Sequence, residues 1–98
     1  MASSVNLIRI RPTDNVGVAV RPVKAGEDVC IAEGIRVSAR DDVPYGHKVA
    51  LLPIKSGEPI LKYGECVGHA SRDIEPGEVV HTHNVEPLPL PDVYIDAT

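Results

Sequence analysis

Two histidines near the end of the chain, in the stretch His81-Thr82-His83-Asn84, are the residues best suited to do chemistry. We expect this stretch to lie on a β-strand, where side chains two residues apart point to the same face. The two imidazoles would then stand about 7 Å apart at the backbone, and they could share a metal ion or bind one anion. The alternative interpretation of an isolated His-x-His pair is an ordinary exposed polar strand end.

Further candidates for ligand binding occur in two short turn motifs. His47 and Lys48 follow a glycine, and Lys62 precedes a Tyr-Gly pair. Near neutral pH an imidazole can act as an acid, a base or a ligand, and an ammonium group can bind an anion. The alternative is an ordinary turn histidine and a solvated lysine. Asp14 and Asn15 are expected to form a turn rather than to bind a ligand.

Two similar segments, offset by 31 residues, must position these candidates. Residues 18–29 and 49–60 are identical at six of twelve aligned positions, and the similarity continues downstream at the same offset. We therefore predict that residues 18–47 and 49–78 form two copies of one structural unit with internal pseudo-two-fold symmetry.

The composition predicts short strands and turns. The chain has 98 residues, with nine prolines, eight glycines and three tyrosines as its only aromatic residues. Because Pro and Gly punctuate regular elements, we expect an all-β domain with an aliphatic core. The predicted strands are residues 5–10, 16–20, 29–31, 35–37, 48–52, 59–62, 65–68 and 79–83. Positive φ is expected at the turn glycines Gly26, Gly46, Gly57 and Gly77. A structural role is expected for three carboxylates that follow turn glycines, Glu27, Glu58 and Glu78.

Charge and hydropathy argue against several classes of partner. The net charge of −4 disfavours nucleic acid, because phosphate binding relies on clustered Lys and Arg. No apolar run approaches the roughly 20 residues of a membrane span, and the first residues lack the pattern of a signal peptide. We therefore expect a cytoplasmic protein in which Cys30 and Cys66 are reduced thiols. The chain carries no phosphate-binding Gly-rich loop, no Cys-x-x-Cys pair and no nucleophile elbow.

The last residues differ from the rest of the chain. Residues 87–91 read Pro-Leu-Pro-Leu-Pro, and alternating prolines favour an extended polyproline II conformation. The sequence therefore predicts a compact domain over residues 1–85 and a Pro-rich arm or linker over residues 86–98.

Six stretches of the chain together resemble one enzyme family. They are Asp14-Asn15-Val16, Gly46–Leu51, Gly57–Ile60, Lys62-Tyr63-Gly64, Gly68-His69-Ala70 and Gly77–Asn84. In this order they resemble the N-terminal SAF-type domain of the altronate/galactarate dehydratase family, over roughly residues 5–85. The resemblance implies a β-clip fold, a compact set of bent strands with internal pseudo-symmetry, which agrees with the repeat.

The resemblance also implies a metal-dependent lyase. The family dehydrates sugar acids to 2-keto-3-deoxy acids with a divalent metal, typically iron. The SAF-type domain is fused to a larger catalytic region in many members, and it is a separate small subunit in others, as in two-subunit sulfolactate sulfo-lyase. We therefore expect a small subunit or N-terminal domain that is inactive alone and contributes lid residues. Its partner would be a large catalytic subunit that holds most of the ligands of the Fe²⁺.

The same resemblance suggests roles for the candidate residues. His81 and His83 are expected to be catalytic, as metal or substrate ligands or as acid and base. The residues expected to bind the small hydroxy-acid substrate are His47, Lys48, Lys62 and Asn84. The substrate stays open among altronate, galactarate, sulfolactate and related acids, and so does association with further copies of the chain. The alternative function is a non-catalytic SAF-like binding or assembly module.

Overall fold

The computed structural model describes residues 5–32 and 34–87, which form nine short β-strands and contain no helix. The strands are β1 (Leu7–Ile8), β2 (Val16–Ala19), β3 (Asp28–Cys30), β4 (Arg36–Ser38), β5 (Lys48–Ala50), β6 (Pro59–Lys62), β7 (Glu65–Ala70), β8 (Val79–Val80) and β9 (Val85–Pro87). The expected all-β class is therefore confirmed. Within the same residues no helix is long and apolar enough to span a membrane.

The strands form three antiparallel sheets. The largest has the order β1-β2-β5-β8, and the two smaller sheets have the orders β3-β4 and β6-β7-β9. Strand β5 is an inner strand of the largest sheet, since Lys48 pairs with Val18 of β2 on one side and with Val80 of β8 on the other.

The 31-residue repeat is visible in the backbone pairing. A bridge between Val23 and Val43 recurs between Ile54 and Ile74, 31 residues later in the chain. In each unit two backbone hydrogen bonds of 2.7 and 2.9 Å form this bridge. The β3-β4 hairpin likewise recurs as the start of the β6-β7 hairpin, in the same register. The matching strand paths of the two units confirm the predicted internal pseudo-symmetry.

Each unit has its own aliphatic core, built from equivalent positions. The first core includes Ala19, Val23, Val29, Ala39, Val43 and Val49, and the second includes Ala50, Ile54, Ile60, Ala70, Ile74 and Val80. Burying one such Val or Ile side chain contributes roughly 1.5–3 kcal/mol. The two cores are small, so buried polar side chains that bond the backbone also contribute to the stability of the domain.

Glutamate side chains close the turns, as the repeat predicts. Glu27, Glu58 and Glu78 each accept a hydrogen bond of 2.9 Å from the backbone N–H three residues earlier. Each bond satisfies a donor that the turn leaves without a strand partner. The structural role expected for these carboxylates is therefore confirmed.

Among the turn glycines, Gly77 lies closest to other backbone atoms. All four have φ between 85° and 94°, which costs an L-residue roughly 1–2 kcal/mol. A Cβ at Gly77 would overlap the carbonyl oxygen of Ser38, whereas one at Gly26 would meet nothing within 4 Å. We predict that Gly77→Ala lowers the free energy of unfolding by about 2 kcal/mol more than Gly26→Ala. Urea denaturation measures both losses, and equal values would contradict the prediction.

Strand β9 was not predicted from the sequence, and it extends into the segment assigned to the Pro-rich arm. Val85–Pro87 pairs with residues 68–70 of β7. Pro87 is tolerated there because β9 is an outer strand of its sheet, where the missing N–H costs little. Residues 88–98, which hold the rest of the predicted arm, lie outside the described part of the chain.

Candidate functional site

The histidine motif lies on a turn and not on a strand. Strand β8 ends at Val80, and the backbone N–H of Asn84 donates to the carbonyl of His81 across a turn (3.0 Å). The predicted strand over residues 79–83 was therefore wrong beyond Val80. The physical reason is Asn84, whose amide competes with the sheet for backbone partners.

Asn84 supports this turn from inside the domain. Its Oδ1 accepts a hydrogen bond from the His81 backbone N–H (2.9 Å), and its Nδ2 donates to the Val79 carbonyl (2.9 Å). The side chain is fully buried, so it has no exposed atom with which to contact a substrate directly. Asn84 thus positions the backbone of His81, and its role in substrate binding stays a prediction.

The turn separates the two histidines that were expected to act side by side. The imidazole of His81 lies beside that of His47, with ring centroids 5.0 Å apart and planes tilted by 45°. His83 instead lines a different groove, together with Arg40 and Arg72. The paired imidazoles are therefore His47 and His81.

The register of the repeat explains why these two histidines meet. Val16 of β2 pairs with Ala50 of β5. Moving both positions by 31 residues gives 47 and 81, and the pairing of Lys48 with Val80 places them opposite one another. The sequence contained this signal, because the repeat and the predicted strands were both visible in it.

Lys48 carries a positive charge into the same region. The residue is half-buried on β5. Burial lowers the pKa of Lys48 below its ordinary value, and the nearby ammonium group of Lys62 lowers it further. A bound anion would oppose this shift, because its negative charge stabilises the charged form of Lys48.

Two polar residues, Asp14 and Asn15, hold the segment that contains Lys62 through hydrogen bonds to its backbone. The buried carboxylate of Asp14 accepts backbone hydrogen bonds from Tyr63 (2.9 Å) and Gly64 (2.8 Å). The side chain of Asn15 accepts a hydrogen bond from the backbone N–H of Leu61 (2.8 Å) and donates one to the carbonyl of Pro59 (2.9 Å). The turn-forming role is confirmed for Asp14, whose carboxylate accepts a hydrogen bond from the Arg11 backbone N–H (3.2 Å) and whose own N–H donates to the Arg11 carbonyl (3.0 Å). The side chain of Asn15 bonds strand β6 instead. The ammonium group of Lys62 lies 4.8 Å from the centroid of the Tyr63 ring, within the range of a cation–π contact.

Apolar side chains wall the groove between these charged groups. The groove has a volume of about 320 Å³ and is lined by Lys48, Val67, His81, Thr82, Val85 and Pro87. The last two residues belong to β9, a strand that was not predicted from the sequence, so this wall was not predicted either. A groove with imidazole and ammonium groups on apolar walls suits a small carboxylate.

The same residues do not suit a divalent metal. Two imidazoles flanked by the ammonium groups of Lys48 and Lys62 would repel a cation. In residues 5–32 and 34–87, no group of three or more His, Cys, Asp or Glu side chains is arranged to hold a metal ion. The described residues therefore offer no complete set of ligands for an Fe²⁺ ion, most of whose ligands were expected on the partner.

The coupling between the two lysines can be measured directly. We predict that Lys62→Gln raises the pKa of Lys48, because it removes the second positive charge. The pKa should not return fully to its ordinary value, since burial is the larger cause of the shift. An NMR titration of the Lys48 side chain tests this, with Lys55→Gln on the exposed turn as the control. A Lys48 pKa that responds equally to both substitutions would contradict the geometry.

Comparison with known proteins matches most of the chain to one family. The model of the altronate/galactarate dehydratase SAF domain matches residues 5–88. Altronate dehydratase of Bacillus subtilis (strain 168) is 43% identical over 81 residues, which are 83% of this chain but 16% of that protein. Galactarate dehydratase (L-threo-forming) of Escherichia coli (strain K12) is 39% identical over 72 residues, 71% of this chain and 13% of that protein.

A third relative is much shorter. The (2R)-sulfolactate sulfo-lyase subunit alpha of Paracoccus pantotrophus is 49% identical over 49 residues, which are 50% of this chain and 73% of that subunit. The same unit thus occurs as a small part of long dehydratases and as most of a short lyase subunit.

Proposed function

Because the chain belongs to the altronate/galactarate dehydratase SAF domain family, we propose that it is the small subunit or N-terminal domain of a hydroxy-acid lyase. The reaction would remove water or sulfite from a substrate such as altronate, galactarate or sulfolactate, the acids named in the relatives. The observation that carries the proposal is the pairing of His47 with His81 beside the lysine-containing groove.

The lysines are suited to bind the carboxylate of such an acid. Lys48 lies in the groove, and Lys62 is close enough to lower the pKa of Lys48. Two neighbouring ammonium groups repel each other, and a carboxylate between them relieves that repulsion. Substrate binding is therefore favoured by charges that the free chain holds in an unfavourable arrangement.

The imidazoles are suited to move protons on that substrate. His81 is exposed at the rim of the groove, and it is in contact with His47. Elimination needs a base for the proton next to the carboxylate and an acid for the leaving group. We assign this proton transfer to His81, with His47 as its neighbour, and not to His83, which lines a different groove.

The remaining chemistry belongs to a larger catalytic polypeptide. The negative charge that develops beside the carboxylate is commonly stabilised by a metal ion, and the described residues do not suit one. The groove is also open to water, whereas an elimination site benefits from excluding it. We therefore propose that this chain closes over a metal-containing site on its partner and is inactive alone.

Reconstitution tests the proposed function. Turnover of altronate, galactarate and (2R)-sulfolactate is measured with the chain alone, with the catalytic polypeptide alone, and with both. At least one substrate is expected to react rapidly only when both are present. Robust turnover by the chain alone would contradict the division of labour. Full activity of the catalytic polypeptide alone would favour the alternative, a non-catalytic binding or assembly module.

A further inference from the structure

A group of exposed apolar side chains lies next to the candidate site. Each of them is between 38% and 70% exposed. We call them the apolar patch, and they are Ile8, Ile10, Val20, Tyr45 and Tyr63. They line one shallow groove of about 230 Å³. Contiguous exposed apolar surface of this kind marks an interaction site more often than isolated apolar residues do.

The apolar patch is continuous with the site. Tyr45 precedes His47 by two residues, and the ammonium group of Lys62 lies over the ring of Tyr63. A partner that docks on the two tyrosines therefore lies at the edge of the imidazole and lysine cluster. Docking there would reduce the access of water to the groove.

Charge around the patch indicates what kind of surface docks on it. Arg9 and Arg11 adjoin Ile8 and Ile10 in the sequence, and Lys62 contacts the ring of Tyr63, although the chain as a whole has a net charge of −4. In the described ranges no carboxylate forms an ion pair with any of these three groups. A second copy in a symmetric pair would place this basic rim against itself. A complementary partner has an apolar centre and acidic side chains around it.

We infer that the apolar patch is the docking surface for the large catalytic polypeptide of the same enzyme, which presents an apolar centre with an acidic rim. This inference rests on the proposed function and adds the face of contact. The relatives support this occupant, because the SAF unit is 13–16% of the dehydratases and most of their length lies outside it. Docking on this face would bring the His47–His81 pair, and with it the edge of the groove lined by Lys48 and His81, to the contact between the two polypeptides.

Charge-introducing variants test the inference in the assembled enzyme. The double variant Ile10→Glu/Tyr45→Glu is compared with Leu52→Glu, which changes an equally exposed apolar residue away from the patch. Affinity for the catalytic polypeptide is measured by calorimetry, and the double variant is expected to bind at least about 100-fold more weakly. Leu52→Glu is expected to bind within about threefold of the unaltered chain.

Further measurements keep the outcome decisive. If the double variant does not fold, the exposed rim variant Arg11→Glu replaces it, with an expected loss of roughly tenfold that shrinks at high salt. Unchanged affinity of the patch variants would overturn the inference and leave the proposed function standing. Absence of any binding by the unaltered chain would overturn the proposed function itself. Sedimentation of the chain alone gives one more outcome: a dimer that the patch variants dissociate would assign the face to self-association, against the inference.

Discussion

Replacing His81 with alanine is expected to lower kcat/KM of the assembled enzyme by at least about 100-fold, the scale of a lost acid–base group. The fold should survive, because the imidazole is exposed and the turn is held through backbone atoms and the Asn84 side chain. Circular dichroism and the thermal midpoint of the isolated chain check the fold, and steady-state kinetics check the activity.

Two matched variants show whether this loss is specific. His83→Ala changes the other motif histidine, which lines the separate groove with Arg40 and Arg72. Its effect should be within a few-fold if proton transfer belongs to His81 alone. Arg36→Ala, an exposed residue, should have almost none. Near-full activity of His81→Ala would refute the assignment, and a large loss in His83→Ala alone would return the catalytic role to the second groove.

The second large effect is expected on stability. Asp14→Ala should lower the free energy of unfolding by roughly 4 kcal/mol, since hydrogen bonds to a charged group contribute about 1.5–3 kcal/mol each. The carboxylate bonds the backbone N–H groups of Tyr63 and Gly64 from a buried position, and their loss would release the turn that holds Lys62. A loss of this size is a large part of the stability of a small domain.

Urea denaturation of three chains measures this effect. Asp42→Ala is the control, because the Asp42 carboxylate is exposed and, within residues 5–32 and 34–87, bonds only the backbone N–H of Ala25 (2.9 Å). Its expected loss is about 1 kcal/mol. Losses of similar size for Asp14→Ala and Asp42→Ala would show that the hydrogen bonds of the buried Asp14 carboxylate are not a major source of stability.

The repeat allowed most of the fold to be predicted from the sequence. Equivalent residues at a 31-residue offset form equivalent local contacts, as Glu27 and Glu58 do with their own turns. The aliphatic positions that repeat, such as Val23 and Ile54, fill equivalent places in the two cores. Strand β6 was predicted over its full range for the same reason.

Two of the differences between predicted and observed strands have a common cause. Asn84 ends the strand after Val80 through side-chain bonds that depend on its buried position. Pro87 was assigned to an arm because proline has no backbone N–H to donate to a sheet. On an outer strand, however, the side of the residue that lacks the N–H can face away from the neighbouring strand. In both cases the tertiary surroundings decide whether the residue belongs to a strand. A local pattern of residue types gives no information about those surroundings.

The candidate site was predicted in part. His47, Lys48, Lys62 and His81 were named from their motifs, and the structure brings them into one region. Their pairing depends on the register of β5 against β8. The expected partnership of His81 with His83 rested on a strand that the structure replaces with a turn.

In the assembled enzyme, the hydroxy acid is expected to occupy the groove lined by Lys48 and His81, beside the paired ring of His47. The most direct test uses a chain labelled with ¹³C in its histidine rings, assembled with the unlabelled catalytic polypeptide and titrated with the hydroxy acid that the enzyme converts. The His47 and His81 ring resonances are expected to shift with the ligand, while that of His83 stays in place. If the enzyme turns the acid over while the His47 and His81 resonances do not move, the proposed contact is wrong.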